Sequence, residues 1–235
     1  RYGKLDLDRI ISALTIAPDG DLAINPKGLL AVEHYLILRN LMYRSVYNHR
    51  LNEVSNWLLE QIIRHARLFG PNKVWADKHM TKWLWHAEEI DIESFLANDD
   101  TRTIYHLQRW QESGPETIKI LSNNFLNRKL LKAVDIEDMN KEHQLKALSF
   151  AMRESEKIGL NSSLNCGLRH TQIYGYRAYE GGLRIWDGHN LMALEKESNL
   201  VKNLINPSSS TWLIYPKEIT NILKDELIKL RESRH

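Results

Sequence analysis

A mainly α-helical protein with a small C-terminal α/β (α+β) subdomain is what this sequence predicts, on three observations. Apolar residues recur at three- and four-residue spacing through most of the first 130 positions. Strict alternation and β-forming residues become frequent only later, in "GLRHTQIYGYRAY", "GLRIWDG" and "STWLIYP". The chain of 235 residues, 43% hydrophobic and 26% charged with a net charge of +2, has the composition of an ordinary folded protein able to bury a core.

The elements follow in order. In "LDLDRIISAL", Asp6 is suited to cap a short amphipathic helix carrying Leu7, Ile10, Ile11 and Leu14. Pro18-Asp19-Gly20 then predicts a hairpin or tight turn between two short apolar runs. One long helix is expected from Lys27 to about His49. Another, with Val54, Leu58, Leu59, Ile62, Ile63 and Ala66 on one face, should end at "FGPN". "VWADKHMTKWLWHAEEI" reads as helical, and "DIESFLANDDTRTIYHLQRWQES" as two helices, the second opening near Asp99-Asp100. Pro115-Glu116 should start the helix "ETIKILSNNFLNRKLL". After the helix "EHQLKALSFAMRESEKIG", strands alternate with helices to the final "KEITNILKDELIKLRE". We place the boundary so that residues 1–136 form the helical part and 137–235 the α/β subdomain.

Several function classes recede on composition. The balance of 32 basic against 30 acidic residues provides no global attraction for a polyanion, so nucleic acid is not an expected partner. The single cysteine, Cys166, allows no intrachain disulfide or thiolate metal cluster. No apolar run approaches the roughly 20 residues that span a bilayer, and no signal peptide is visible, so a cytoplasmic protein without membrane association is expected.

The densest chemistry lies in "LRNLMYRSVYNHR", residues 38–50. On a continuous helix Arg39, Tyr43 and Arg50 fall within about 40° of one another, with Tyr47 about 80° from Arg39. Guanidiniums offer forked donors for phosphate oxygens, and tyrosines can stack on a base or sugar and donate a hydrogen bond. On the residues alone the commoner reading is a core helix in which Arg39 and Arg50 pair with carboxylates elsewhere and the tyrosines are half-buried packing residues. His49 lies off that face. "YEGG" near Gly181 and "WDGHN" near Gly188 are turn signals rather than phosphate loops. The tyrosines and arginines of "SLNCGLRHTQIYGYRAY" could stack on RNA bases or simply line a half-buried sheet.

Taken together, "RYGKLDLDRIISAL", "LRNLMYRSVYNH", "DDTRTIYHLQRW", "FLNRKLLKAV" and, more weakly, "LRIWDGHNLMALEKESNLVKNL" and "WLIYP" resemble, in order and spacing, segments of the HD-domain phosphohydrolases. The likeness is to the bacterial deoxynucleoside triphosphate triphosphohydrolases and the vertebrate SAM-and-HD-domain dNTPases. It implies a helical HD-phosphohydrolase-type bundle portion and a parent enzyme that hydrolyses nucleoside triphosphates. It also implies nucleotide partners, either a dNTP substrate or a GTP-type effector, and a homo-oligomer. By the same resemblance Arg39, Tyr43, Tyr47 and His49 border the nucleotide pocket, and Arg9 matches a position near an effector nucleotide. That family holds a divalent metal, such as Mn, Mg, Fe or Zn, with a histidine, an adjacent His-Asp pair and a later aspartate, all preceding the segment that opens this chain. Here no histidine is followed by aspartate, and the chain opens on Arg1 rather than methionine. The expectation is therefore a C-terminal part without metal ligands or catalytic residues of its own, inactive alone. The alternative is a non-catalytic regulatory or oligomerisation module.

Overall fold

The computed structural model describes residues 5–178 and 182–233. Tyr2-Gly3 of the opening segment and most of "YEGG" lie outside the described residues. The protein is mainly α with small sheets, as the sequence predicts. In chain order come α1 (Leu7–Ser12), the hairpin β1 (Leu14–Ile16) and β2 (Leu22–Ile24), α2 (Leu29–Met42) and α3 (Arg50–Phe69). Four helices follow: α4 (Lys78–Trp85), α5 (Ile92–Ala97), α6 (Asp100–Ser113) and α7 (Glu116–Leu126). Next are β3 (Lys132–Asp135), α8 (Lys141–Lys157), α9 (Ser162–Asn165), β4 (Gly167–Ile173), β5 (Arg184–Trp186) and β6 (Leu191–Ala193). The chain closes with α10 (Leu194–Glu197), α11 (Asn199–Leu204), β7 (Ser208–Tyr215) and α12 (Thr220–Glu232). Among the described residues no helix is long and apolar enough to cross a membrane.

The chain divides into two compact units, Arg1–His49 with His170–Ser210, and Arg50–Arg169 with Thr211–His235. The expected division at 136/137 thus falls inside the second unit. The reason is β3, which directly follows the stretch read as helix up to Leu131: "KAVD" pairs antiparallel with β7, placing Val134 opposite Leu213 and Asp135 opposite Trp212.

The first unit carries a four-stranded sheet in the order β1, β2, β5, β6. The hairpin forms where Pro18-Asp19-Gly20 predicts it, with Gly20 at φ +87°, a left-handed conformation that glycine reaches without steric cost. Arg184 on β5 holds the hairpin turn through Asp19 (3.3 Å) and Asp21 (3.0 Å). Ile24, Val32, Leu36, Ile185, Leu194 and Val201 form its core. Gly28 is required here: a Cβ would sit 2.1 Å from the Ala13 Cβ.

The second unit packs α3, α4, α6 and α7 around Trp57, Ile62, Leu107 and Trp110, and covers its sheet with α8 and α12 over Ile136, Ala151, Leu213 and Leu227. Four of its helices start on side-chain caps. Asp77, Asp91, Asp99 and Asn140 each accept from backbone amides of the first turn. Gly70, at φ +77°, follows α3 as expected of "FGPN".

Candidate nucleotide site

The expected single helix from Lys27 to His49 is interrupted. α2 ends at Met42 and continues as one π-helical turn, Tyr43–Tyr47. Asn48 makes that turn: its backbone N–H donates to the Tyr43 carbonyl five residues back (2.8 Å), and its side-chain Nδ2 donates to the same oxygen (2.9 Å). Ser45 adds a bond from its Oγ to the Leu41 carbonyl (2.7 Å). Such widened turns inside helices occur frequently at functional sites.

The π turn changes which side chains meet. The Tyr43 and Tyr47 rings lie with centroids 5.1 Å apart and tilted 46°. The Arg39 guanidinium sits over Tyr43, 4.7 Å from the ring centroid, and its Nη1 donates to the Gly175 carbonyl (3.1 Å). Arg39, Tyr43 and Tyr47 are therefore brought together. Arg50 is not part of that cluster: it opens α3, past the break at Asn48-His49, and belongs to the second unit. The alternative of arginines tied up by carboxylates is not met either. Among the described residues neither Arg39 nor Arg50 has an ion-pair partner.

Two cavities share Arg39, Tyr43 and Tyr47 as a common wall. One, of about 370 Å³, is otherwise lined by Leu5, Tyr35, Leu38 and Met42 and is mostly apolar. The other, of about 410 Å³, is completed by Asn48, Gln172, Ile173, Tyr174 and Arg177. Its lining includes two arginines and no carboxylate, a composition that favours an anion. Arg177 is held over the Tyr174 ring at 4.7 Å, and the Tyr174 hydroxyl donates to Gln172 Oε1 at 3.4 Å. A polar cavity with two arginines thus adjoins an apolar one across a wall of two mutually tilted tyrosine rings.

Close approach of the segment after β4 to α2 depends on Gly175. A Cβ there would lie 2.9 Å from Leu204 Cδ2 and 3.3 Å from Asn40 Cγ. The next residue is anchored by the Tyr176 N–H donating to the Leu204 carbonyl (3.0 Å).

His49 is exposed, lies just past the π turn and lines neither cavity. Arg9 faces a separate polar cavity of about 480 Å³ with Ser12, Thr15, Asn25 and Lys27, again two cations without a carboxylate. Asn48, Gln172 and Arg177 escape sequence reasoning as site residues. The only signal is the arginine and tyrosine alternation of "TQIYGYRAY", which by itself equally describes a sheet.

The group of histidine and acidic side chains close enough to share an ion among the described residues, His86, Glu88 and Glu89, is exposed and lies in the second unit. It contains no adjacent His-Asp pair.

Residues 5–71 match the family described as HD associated region, a stretch that includes α2 and its π turn. Over 151 residues, 63% of this chain, the sequence is 25% identical to the uncharacterized protein YwfO of Bacillus subtilis (strain 168). The fold is similar to that of a phosphohydrolase from Bacteroides thetaiotaomicron VPI-5482, with a TM-score of 0.70 and 20% identity over 92% of this chain. It is also similar to that of a hypothetical protein from Aquifex aeolicus, with a TM-score of 0.56 and 19% identity over 96% of this chain. The chain spans 35% of the length of the B. subtilis relative and 57% and 52% of the two solved chains. Residues 5–71 thus resemble an HD associated region, and the chain shares its fold with those two solved chains.

Proposed function

We propose that this chain is the nucleotide-binding part of a metal-dependent HD-type phosphohydrolase, most specifically a deoxynucleoside triphosphate triphosphohydrolase. The observation that supports this reading is the acid-free cavity in which Arg39 and Arg177 face Tyr43 and Tyr47. In it the two guanidiniums bind phosphate oxygens, forked donors that stay charged at any working pH. The tyrosine pair and the apolar chamber beside it receive the sugar and base. His49 enters this reading through the family resemblance alone.

Bound at fixed positions, guanidiniums stabilise the charge that spreads over phosphate oxygens during transfer, a contribution of about a hundredfold or more in rate for well-placed donors. In the family the chain resembles, attack on phosphorus depends on a divalent metal, which this reading places in the rest of the full-length protein. A dNTP hydrolysis assay on the full-length protein with Mn²⁺ or Mg²⁺ tests the reading. Turnover is expected, and Arg39→Ala should weaken dNTP binding. Absence of hydrolysis of every dNTP would refute the enzymatic reading.

The Arg9 cavity favours a second reading for the same region, effector-nucleotide binding in a non-catalytic regulatory or oligomerisation module. Binding of GTP without turnover, lost on Arg9→Ala and kept in Arg39→Ala, would select it.

A further inference from the structure

In the second unit, α5 (Ile92–Ala97) turns the wrong way for an ordinary amphipathic helix. Its buried residue is Ser94, while Ile92, Phe95 and Leu96 stand 75%, 57% and 70% exposed on the opposite side. Residues 92, 95 and 96 share one helical face, the face that normally packs against a core. The surroundings are acidic. Between His86 and Thr101 the sequence has Glu88, Glu89, Asp91, Glu93, Asp99 and Asp100 and no lysine or arginine. Lys82 and Lys78 reach Asp91 (2.8 Å) and Glu93 (3.4 Å), but Glu88 and Asp100 pair with no cation among the described residues.

The same unit carries the converse surface. A groove of about 640 Å³ along α3 is lined by Leu59, Ile63 and Leu68 with three arginines, Arg64, Arg67 and Arg169, against one carboxylate, Glu60. Arg169 is occupied by the buried Glu53 (2.6 Å) and by Glu60. Arg64 and Arg67 are not held by any carboxylate among the described residues; Arg64 bonds Gln61 and Arg67 donates to the Trp83 carbonyl (3.0 Å). Leu68 is 73% exposed.

The two surfaces adjoin. Arg67 of the groove bonds Trp83, and the Trp83 indole stacks on Phe95 of α5 with centroids 5.8 Å apart. An acidic apolar ridge that adjoins a cationic apolar groove offers, in charge and polarity, the pair of complementary patches that a two-fold contact between identical chains uses. We propose that this face is a docking surface for a second copy of this chain. In it Ile92, Phe95 and Leu96 of each copy enter the groove of the other, and the acidic flank meets Arg64 and Arg67. Occupation would cover four large apolar side chains on each copy and pair charges left open within one chain, with complementary charge setting register and rate of encounter.

The test is site-directed disulfide cross-linking of the full-length protein. Leu68→Cys and Leu96→Cys are made separately; both sites are exposed, so the fold tolerates them, and the native Cys166 is buried. Under mild oxidation the mixture of the two variants should yield a covalent dimer in clear excess over either variant alone. Introducing Arg64→Glu and Arg67→Glu into the Leu68→Cys copy should reduce that yield by about tenfold or more, since like charges would then face each other. Raising salt should reduce it as well. No excess in the mixture, or an excess unaffected by the two charge reversals in a copy whose circular dichroism is unchanged, would overturn the proposal. A hydrophobic partner of another kind on this face would give the first of these results.

Discussion

The Arg39 guanidinium lies 4.7 Å from the centroid of the Tyr43 ring while its Nη1 donates to the Gly175 carbonyl. One cation is thus held at once by a ring on its own helix and by a backbone oxygen 136 positions away in sequence. A guanidinium uses only part of its five donors in this arrangement, and Arg39 lines both cavities with the rest. Replacement by lysine keeps the charge but loses the planar stack and the forked donors. Arg39→Lys should therefore bind dNTP more weakly than the parent, and Arg39→Ala more weakly still. The loss is about 10- to 100-fold for the alanine variant, the worth of charge-assisted hydrogen bonds. Calorimetric titration measures both. Equal affinity for all three proteins would remove Arg39 from the site.

Gly175 offers a test of the wall's architecture rather than of its charge. Gly175→Ala places a methyl 2.9 Å from Leu204 Cδ2 and 3.1 Å from Leu204 Cβ, so the segment must shift from α2. Overpacking of this kind costs about 1–3 kcal/mol, and the Arg39 bond to residue 175 should lengthen with it. Denaturant midpoints measure the first effect and nucleotide affinity the second. Unchanged values in both would show that Leu204 yields freely.

Stability of the second unit should respond strongly at Trp110. This residue is 1% exposed, and its Nε1–H donates to the Trp75 carbonyl at 2.7 Å. Trp110→Phe removes the donor and leaves that oxygen short of a partner, for a loss of about 1–3 kcal/mol. Trp110→Ala adds a cavity and should cost about 3–5 kcal/mol. Urea unfolding distinguishes the two, with the order reversed or absent if the indole is not the keystone of its cluster.

Asp77 links helix capping to pH. Desolvation pushes its carboxyl up, but the N–H of Met80, the nearby His106 ring, the Arg102 guanidinium and the N–H of His79 together outweigh that and hold it below its ordinary value of 3.8. A carboxyl with a depressed folded-state value stabilises the fold above its unfolded value. That contribution is lost as pH falls below about 3.8 and through the lower folded value. Asp77→Asn keeps the accepting oxygen of the cap but removes the charge beside Arg102 and the first-turn N–H groups, and should lower stability by about 0.3–1 kcal/mol at neutral pH. The deficit should shrink on acidification below 3.8, as the parent loses the same charge. Thermal melts of both proteins over that range measure the convergence; parallel curves would disprove it.

Much of the fold was legible because it is encoded locally. Asp6, Asp77, Asp99 and Asn140 mark helix starts through their own side-chain bonds, and Pro18-Asp19-Gly20 marks the hairpin. The strand Lys132–Asp135 was not, because four residues carry no period long enough to separate strand from helix, and β7 decides the matter by pairing. The π turn was equally hidden. A run of helix-compatible residues is consistent with either turn, and the double donation from Asn48 to Tyr43 selects the wider one.

For the candidate site, the sequence by itself determined that Arg39, Tyr43 and Tyr47 belong to one short helical stretch, since spacing of three to eight residues settles neighbours on a helix. Only the tertiary structure decided that Arg177 and Gln172 complete the cavity, that Arg50 does not, and that His49 stands outside it. Local periodicity carries information over a few turns of chain. Which distant segments meet is fixed instead by close packing, here by a glycine at 175 that lets one strand's end lie against Asn40 and Leu204.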